Sequence, residues 1–168
     1  QQENRCRMVD VAEIKIWGEW VGAVRWDESQ QLGYFQYDTK FIQKGWDLSP
    51  LKMPISQGTQ IYSFPELRIG RNETLDTFKG LPGLLADALP DKYGNRLIST
   101  WLAQQGRTEN SMNPVEKLCF IGTRGMGALE FEPIVPKTNN GATKIELDSL
   151  INIAQEILSG RQDFNTNL

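Results

Sequence analysis

The chain has 168 residues, 39% hydrophobic and 23% charged, with a formal net charge of −3 and a pI near 5.1. That size and balance suit one soluble domain, or two small lobes sharing a core. Seven Phe, five Trp and four Tyr argue against disorder, and the acidic balance argues against an extended nucleic-acid surface, which needs clustered Lys and Arg.

Histidine is absent. This removes Ser–His and Cys–His nucleophiles, the commonest proton shuttle near neutral pH, and histidine-based metal sites. Cys6 and Cys119 are too few for a disulfide framework or a zinc site, so no metal is expected. No apolar run approaches the roughly 20 residues needed to span a bilayer, and the polar start, Gln1 to Asp10, lacks the apolar core of a signal peptide. A reduced, cytoplasmic protein with no membrane contact is expected. Arg68 and Arg71 form a local basic spot that reads as solvated surface.

The front of the chain reads as strands. Ala12, Ile14 and Ile16 alternate with Glu13, Lys15 and Trp17, the period of a half-buried strand. Gly18-Glu19 suits a type II′ hairpin turn with Gly at its first central position, and the return strand runs from Trp20 to Trp26. Tyr34 to Tyr37 is a third strand, and the composition suggests an antiparallel meander. Gly45 to Pro54 is turn-rich, with Ser49-Pro50 and Met53-Pro54 favouring extended backbone before each Pro. Ile61 to Phe64 is a further short strand.

Helices take over from Thr77 to Ile121. Leu81, Leu84, Leu85, Ala88 and Leu89 fall at i, i+3, i+4, i+7 and i+8, the face of a buried helix. Pro82 suits its first turn, Pro90 stops it, and Asp91 to Gly94 reads as a turn. Leu97, Ile98, Trp101 and Leu102 form a second periodic run closed by Gly106. Asn113-Pro114-Val115-Glu116 is a helix start with a cap, Pro at N1 and Glu at N3; Gly122 suits a left-handed end. Ala128 to Phe131 reads as a strand halted by Pro133. Pro136 to Gly141 is a polar linker, and Glu146 to Leu158 a final helix with Leu147, Leu150, Ile151, Ala154 and Leu158 on one face. The expected fold class is α+β: a small antiparallel sheet or partial barrel packed with a helical segment. Leu84, Leu85, Leu89, Trp101 and Leu118 are expected in the shared core.

Three constellations invite a chemical reading. Gly122-Thr-Arg-Gly-Met-Gly127 resembles a phosphate loop, with Gly122, Gly125 and Gly127 freeing backbone N–H groups and Arg124 beside them. It follows a helix and precedes a strand, the reverse of the strand–loop–helix order such loops use, so a helix cap and tight turn is preferred. Asp87 and Asp91 have the spacing of an acid/base pair, but Pro90 interrupts it, and Asp91 reads better as a capping residue. Arg96 suits pairing with either carboxylate. Trp17, Trp20 and Trp26 surround the first hairpin; Trp26 reads as core, while Trp17 and Trp20 fit either core or a binding surface.

Phe78 to Arg96 closely resembles the amino-terminal module of the HipA family of bacterial serine/threonine kinases, the toxins of two-gene toxin–antitoxin systems. The resemblance runs from about Val11 to Leu158 and is sharpest at Gly18-Glu-Trp-Val-Gly22, Leu48-Ser-Pro-Leu51, Phe78 to Gly94 and Ile121 to Leu129. It implies one HipA-like amino-terminal domain over 1–168, with a strand-rich part at 11–64, a helical part at 77–121, a strand at 128–131 and a final helix at 146–158. In that family the glycine-rich ATP loop, the catalytic-base Asp and the metal-binding Asp come later than Leu168. The resemblance therefore assigns no catalytic, cofactor-binding or metal residue here; ATP and magnesium belong to the parent kinase. It implies a helix-turn-helix antitoxin and a kinase core, in cis or in trans, as partners, with DNA reached only through the antitoxin. A standalone antitoxin-like subunit restraining a separate kinase is the alternative, and a small-molecule enzyme built on Gly122–Gly127 a third reading.

Overall fold

A computed structural model describes residues 9–104, 106–122 and 127–134. Strands β1 (Val11–Ile16), β2 (Glu19–Asp27), β3 (Leu32–Tyr37), β4 (Ile61–Tyr62) and β5 (Leu129–Pro133) form one sheet in the order β4-β3-β2-β1-β5. Every pairing is antiparallel, and the sheet is open rather than barrel-like. Helices α1 (Thr39–Lys44), α2 (Gly83–Ala86), α3 (Lys92–Gln104) and α4 (Pro114–Ile121) complete an α+β fold. The expected linker at Pro136–Gly141 and helix at Glu146–Leu158 lie outside the described residues, as does Cys6.

The hairpin turn differs from the expected type. Ile16 pairs with Glu19, so Trp17 and Gly18 are the two central residues. Both have positive φ, 49° and 78°, the type I′ geometry that matches strand twist. Gly18 therefore takes the second central position, and Trp17 is held left-handed, where a bulky side chain is strained. Beyond the turn, β2 carries one extra residue: Ile14 pairs with Gly22 and Lys15 with Trp20. This bulge turns both Val21 and Gly22 inward, and the Val21 carbonyl accepts the Asp38 N–H at 2.8 Å. A Cβ on Gly22 would lie 2.1 Å from the Gln36 carbonyl oxygen, so the ladder closes only over glycine.

One face of the sheet supplies the main core. Ile14, Val24, Trp26, Phe35, Tyr37 and Phe131 pack with Phe41 of α1, Met53, Leu81, Leu85 of α2, and Val115 and Leu118 of α4. The tyrosines end their buried rings on loop carbonyls, Tyr37 on Met53 at 3.0 Å and Tyr62 on Pro54 at 2.8 Å. The loop around Leu48-Ser-Pro-Leu51 is thus fastened to the core by hydroxyl groups.

The family-like stretch from Phe78 is a clamp on the β2–β3 turn. Lys79 and Gly80 are both left-handed. Gly80 donates to the Leu67 carbonyl and accepts from the Gly33 N–H, each at 2.8 Å, while a Cβ on Gly80 would meet the Gln31 carbonyl at 2.5 Å. The helix expected from Leu81 to Leu89 is shorter than its periodicity suggests. Pro82 caps α2 from outside, and the turn after it tightens through Ala88 N–H to Leu85 and Leu89 N–H to Ala86, spacings of the narrower helix. Leu81 and Leu85 are nevertheless sealed in the core, with Leu84, Ala88 and Leu89 packed against it.

Asn113 ties the helical part to the sheet. Its Oδ1 accepts the Glu116 N–H at 2.8 Å, the expected cap of α4, while its Nδ2 donates to the Val9 carbonyl at 3.0 Å. Gly122 ends α4 with φ 56° and ψ −117°, a positive-φ shape outside the left-handed helical region expected for it. Its carbonyl accepts from Phe131 of β5 at 3.4 Å.

Candidate functional site

The sequence-derived candidates separate in space and in role. Asp91 Oδ1 accepts the Gly94 N–H at 2.8 Å, so it satisfies a free donor in the first turn of α3. The segment expected as a turn, Asp91 to Gly94, is in fact the start of that helix. Among the described residues no ion pair joins Arg96 to Asp87 or Asp91. Of the glycine-rich loop, Gly122 closes α4 and Gly127 precedes β5; Arg124 and Gly125 lie outside the described residues.

A cleft of ≈ 630 Å³ opens between the β2–β3 turn and the stretch from Glu109 to Lys117, with Trp26, Glu28, Lys79 and Asn95 on its wall. Its acidic groups are engaged. Glu28 accepts the Trp26 indole N–H at 2.8 Å and the Gln31 amide at 2.9 Å, and Glu109 accepts from Ser99 at 2.9 Å. Nearby, Arg107 forms a two-pronged bond to the buried Glu116, at 3.1 and 3.4 Å, and donates to Ser111. These carboxylates hold structure together.

Other titratable groups give a similar picture. Cys119 is half-buried; burial first, and the Glu116 carboxylate next, push its thiol up to about 12, so it carries no thiolate near neutral pH. Burial likewise raises Tyr37 and Tyr62. Asp27 is held below the usual carboxylate range, mainly by the Ser29 hydroxyl at 2.6 Å. Among the described residues no group of three His, Cys, Asp or Glu could hold a metal ion. None of their helices is long and apolar enough to cross a membrane.

What the fold presents outward is aromatic. Trp17, at the hairpin tip, is 73% exposed and meets the edge of Trp46 at 6.1 Å. Trp46 is buttressed by Phe41 at 6.1 Å and by Lys44, 5.5 Å from its ring centre, whose Nζ also pairs with Glu19 at 2.9 Å. The strained backbone at Trp17 thus holds a large indole in water beside a second one. Trp26 is core, as expected, and Trp20 is half-exposed with its indole N–H on the Gly22 carbonyl. A second apolar surface lies on α3, where Tyr93 and Leu97 stand exposed and Trp101 packs on Phe120 at 5.3 Å. Trp101 is therefore not in the shared core, contrary to its helical spacing. Sequence reasoning missed Trp46 and Tyr93. Trp46 carries no period to flag it, whereas Tyr93, Leu97 and Trp101 had a legible i, i+4, i+8 spacing.

Comparison with known proteins gives one finding of family. The family model described as the HipA N-terminal domain matches residues 12–132, from β1 through β5. No curated protein matches the chain.

Proposed function

This chain belongs to the HipA N-terminal domain family, and we propose that it is the non-catalytic amino-terminal part of a HipA-like serine/threonine protein kinase in a two-gene toxin–antitoxin system. In this reading it works in the cytoplasm, bracing the kinase core in cis or in trans. It also offers surface to a helix-turn-helix antitoxin, through which alone it reaches DNA. The observation that carries the reading is the family match across the whole sheet and its helices. Two features support it. The cleft carboxylates Glu28 and Glu109 are tied into hydrogen bonds, and four of the eight large apolar side chains exposed among the described residues are indoles, side chains favoured at protein interfaces. ATP and magnesium are assigned to the parent kinase.

Two measurements test this. The chain should form a complex with a HipA-type kinase core from the same genome in gel filtration, and Trp17→Ser with Trp46→Ser should weaken it; absence of any complex defeats the bracing role. Calorimetric titration of ATP–magnesium into the chain alone should give no saturable binding. Micromolar binding lost in Arg124→Ala would overturn the non-catalytic reading and restore Gly122–Gly127 as a nucleotide loop.

A further inference from the structure

The two indoles beside the first hairpin are mounted on one frame. Trp17 stands in the β1–β2 turn, and Trp46 follows the left-handed Gly45 that ends α1. The start of α1 is fastened to β2, because the Asp38 N–H donates to the Val21 carbonyl at 2.8 Å. Its last turn is fastened to the hairpin, because Lys44 pairs with Glu19 at 2.9 Å. The two rings meet at 71° with centres 6.1 Å apart, so they form a corner, one ring the floor and the other the wall. Both are open to water. A corner held this way before binding loses little freedom when a ligand enters it.

Two observations mark it as a binding surface. Trp17 keeps a left-handed backbone that a bulky residue pays to adopt, and outliers of this kind cluster at ligand clamps and other functional sites. The indole N–H groups also divide into two sets. Trp20 and Trp26 turn theirs inward, onto the Gly22 carbonyl and Glu28. Those of Trp17 and Trp46 meet no acceptor among the described residues.

The shape and chemistry of the corner select among the ways proteins recognise peptides. Strand addition needs a run of free main-chain groups. Near the tip β1 is paired on both sides, to β2 and β5, and the Val21 carbonyl is already taken. A docked helix spreads its anchors from i to i+7, about 10 Å of axis, longer than the pair of rings. An anionic motif needs free cations, and the cation at the pair, Lys44, is held by Glu19. A polyproline II segment fits. Two of its residues advance about 6 Å, the spacing of the ring centres, and its carbonyls make no internal hydrogen bonds, so they are free to accept indole N–H groups.

We propose that the Trp17–Trp46 corner binds an extended proline-rich segment of a protein partner, the rings packing on prolines and the two indole N–H groups donating to its carbonyls. This deepens the interface reading above and rests on it for this surface being a protein contact. Titration of a ten-residue polyproline peptide into the full, isotope-labelled chain tests it by nuclear magnetic resonance. The indole N–H signals of Trp17 and Trp46 should shift and saturate by about 1 mM peptide, while that of Trp26 stays in place. A glycine–serine peptide of equal length should move neither. Trp17→Asn, which suits the turn, and Trp46→Ala should each weaken binding about tenfold or more, whereas Tyr93→Ser, an exposed site on α3, should leave it unchanged. No saturable shift, an equal response to the glycine–serine peptide, binding kept in Trp17→Asn, or binding lost in Tyr93→Ser would each overturn the proposal. A kinase complex that forms without any peptide binding overturns this proposal alone; peptide binding without a kinase complex defeats the bracing role and upholds the corner.

Discussion

Leu85 and Ile98 are both aliphatic, both helical and both fully buried, yet they belong to different cores. Leu85 sits among Phe35, Tyr37 and Leu118, over a sheet whose local hairpins are joined by the more distant β1–β5 and β3–β4 ladders. Ile98 shares a small cluster with Leu102 and Met112 under α3. The sheet region packs one face into the main core and gathers exposed aromatics, Trp17 against Trp46, beside its first hairpin. The α3 region is buried on one side only and keeps a stripe of large side chains on the other. Equal burial of a residue therefore does not mean equal weight; what counts is how much structure the neighbours share.

Matched substitutions put that contrast to a direct test. Leu85→Ala should lower global stability by ~2–5 kcal/mol, read as one shifted urea transition. Glu116→Ala removes the bidentate partner of Arg107, the link between the segment after α3 and α4. A loss of ~2–3 kcal/mol is expected, with α3 amides affected first in hydrogen exchange. Ile98→Ala should cost about 2 kcal/mol, seen as faster exchange in α3 while β1–β3 stay protected. If Ile98→Ala instead shifted the whole urea transition as far as Leu85→Ala, the two-core description would be wrong.

Cys119 sharpens the comparison from the pH side, because it packs against the sheet core. Its thiol ionises near 9.0 when unfolded and about 12 when folded. Above pH 9 the unfolded chain loses a proton that the folded chain keeps. Stability is thus intact below pH 9 and falls as pH rises toward 12, with Tyr37, also raised by burial, acting in the same direction. Urea transitions should show this alkaline loss, and Cys119→Ala should make it shallower. The smallest expected effect has the opposite sign. Trp17→Asn relieves a left-handed bulky residue and creates the Asn-Gly pair that type I′ turns favour; stability should rise by ~0.5–1 kcal/mol, with a higher Tm.

Much of the sheet region was legible in the sequence. The alternation from Ala12, the aromatic strand at Tyr34 to Tyr37, the Asn113 cap and the strand at Phe131 each follow from a local period or a capping residue. The class, α+β, followed from the switch between those periods. Other features were hidden for physical reasons. The turn type rests on a left-handed Trp17, a conformation a bulky residue rarely adopts, and the bulge at Val21 is announced by no single residue. Helix α1 is only six residues long, too short for a period, although Asp38 and Gly45 bracket it as N-cap and left-handed end. Spacing alone placed Trp101 inside because it cannot say which side of a helix meets a core. The surface aromatics around Trp46 are brought together only by folding, so their cluster had no linear signal.

The junction at Val11 has a consequence for how such a fold travels between proteins. Ile134 bonds the Val11 carbonyl, so the polypeptide comes in and goes out at neighbouring points beside β1. A unit with adjacent ends can be spliced into a loop of another protein, or rejoined end to end and reopened elsewhere, without stretching its frame. Its outer border suits such transplantation. The Phe131 N–H is taken by Gly122, and Pro133 brings no N–H at all, so β5 offers a new neighbour few donors to polymerise onto.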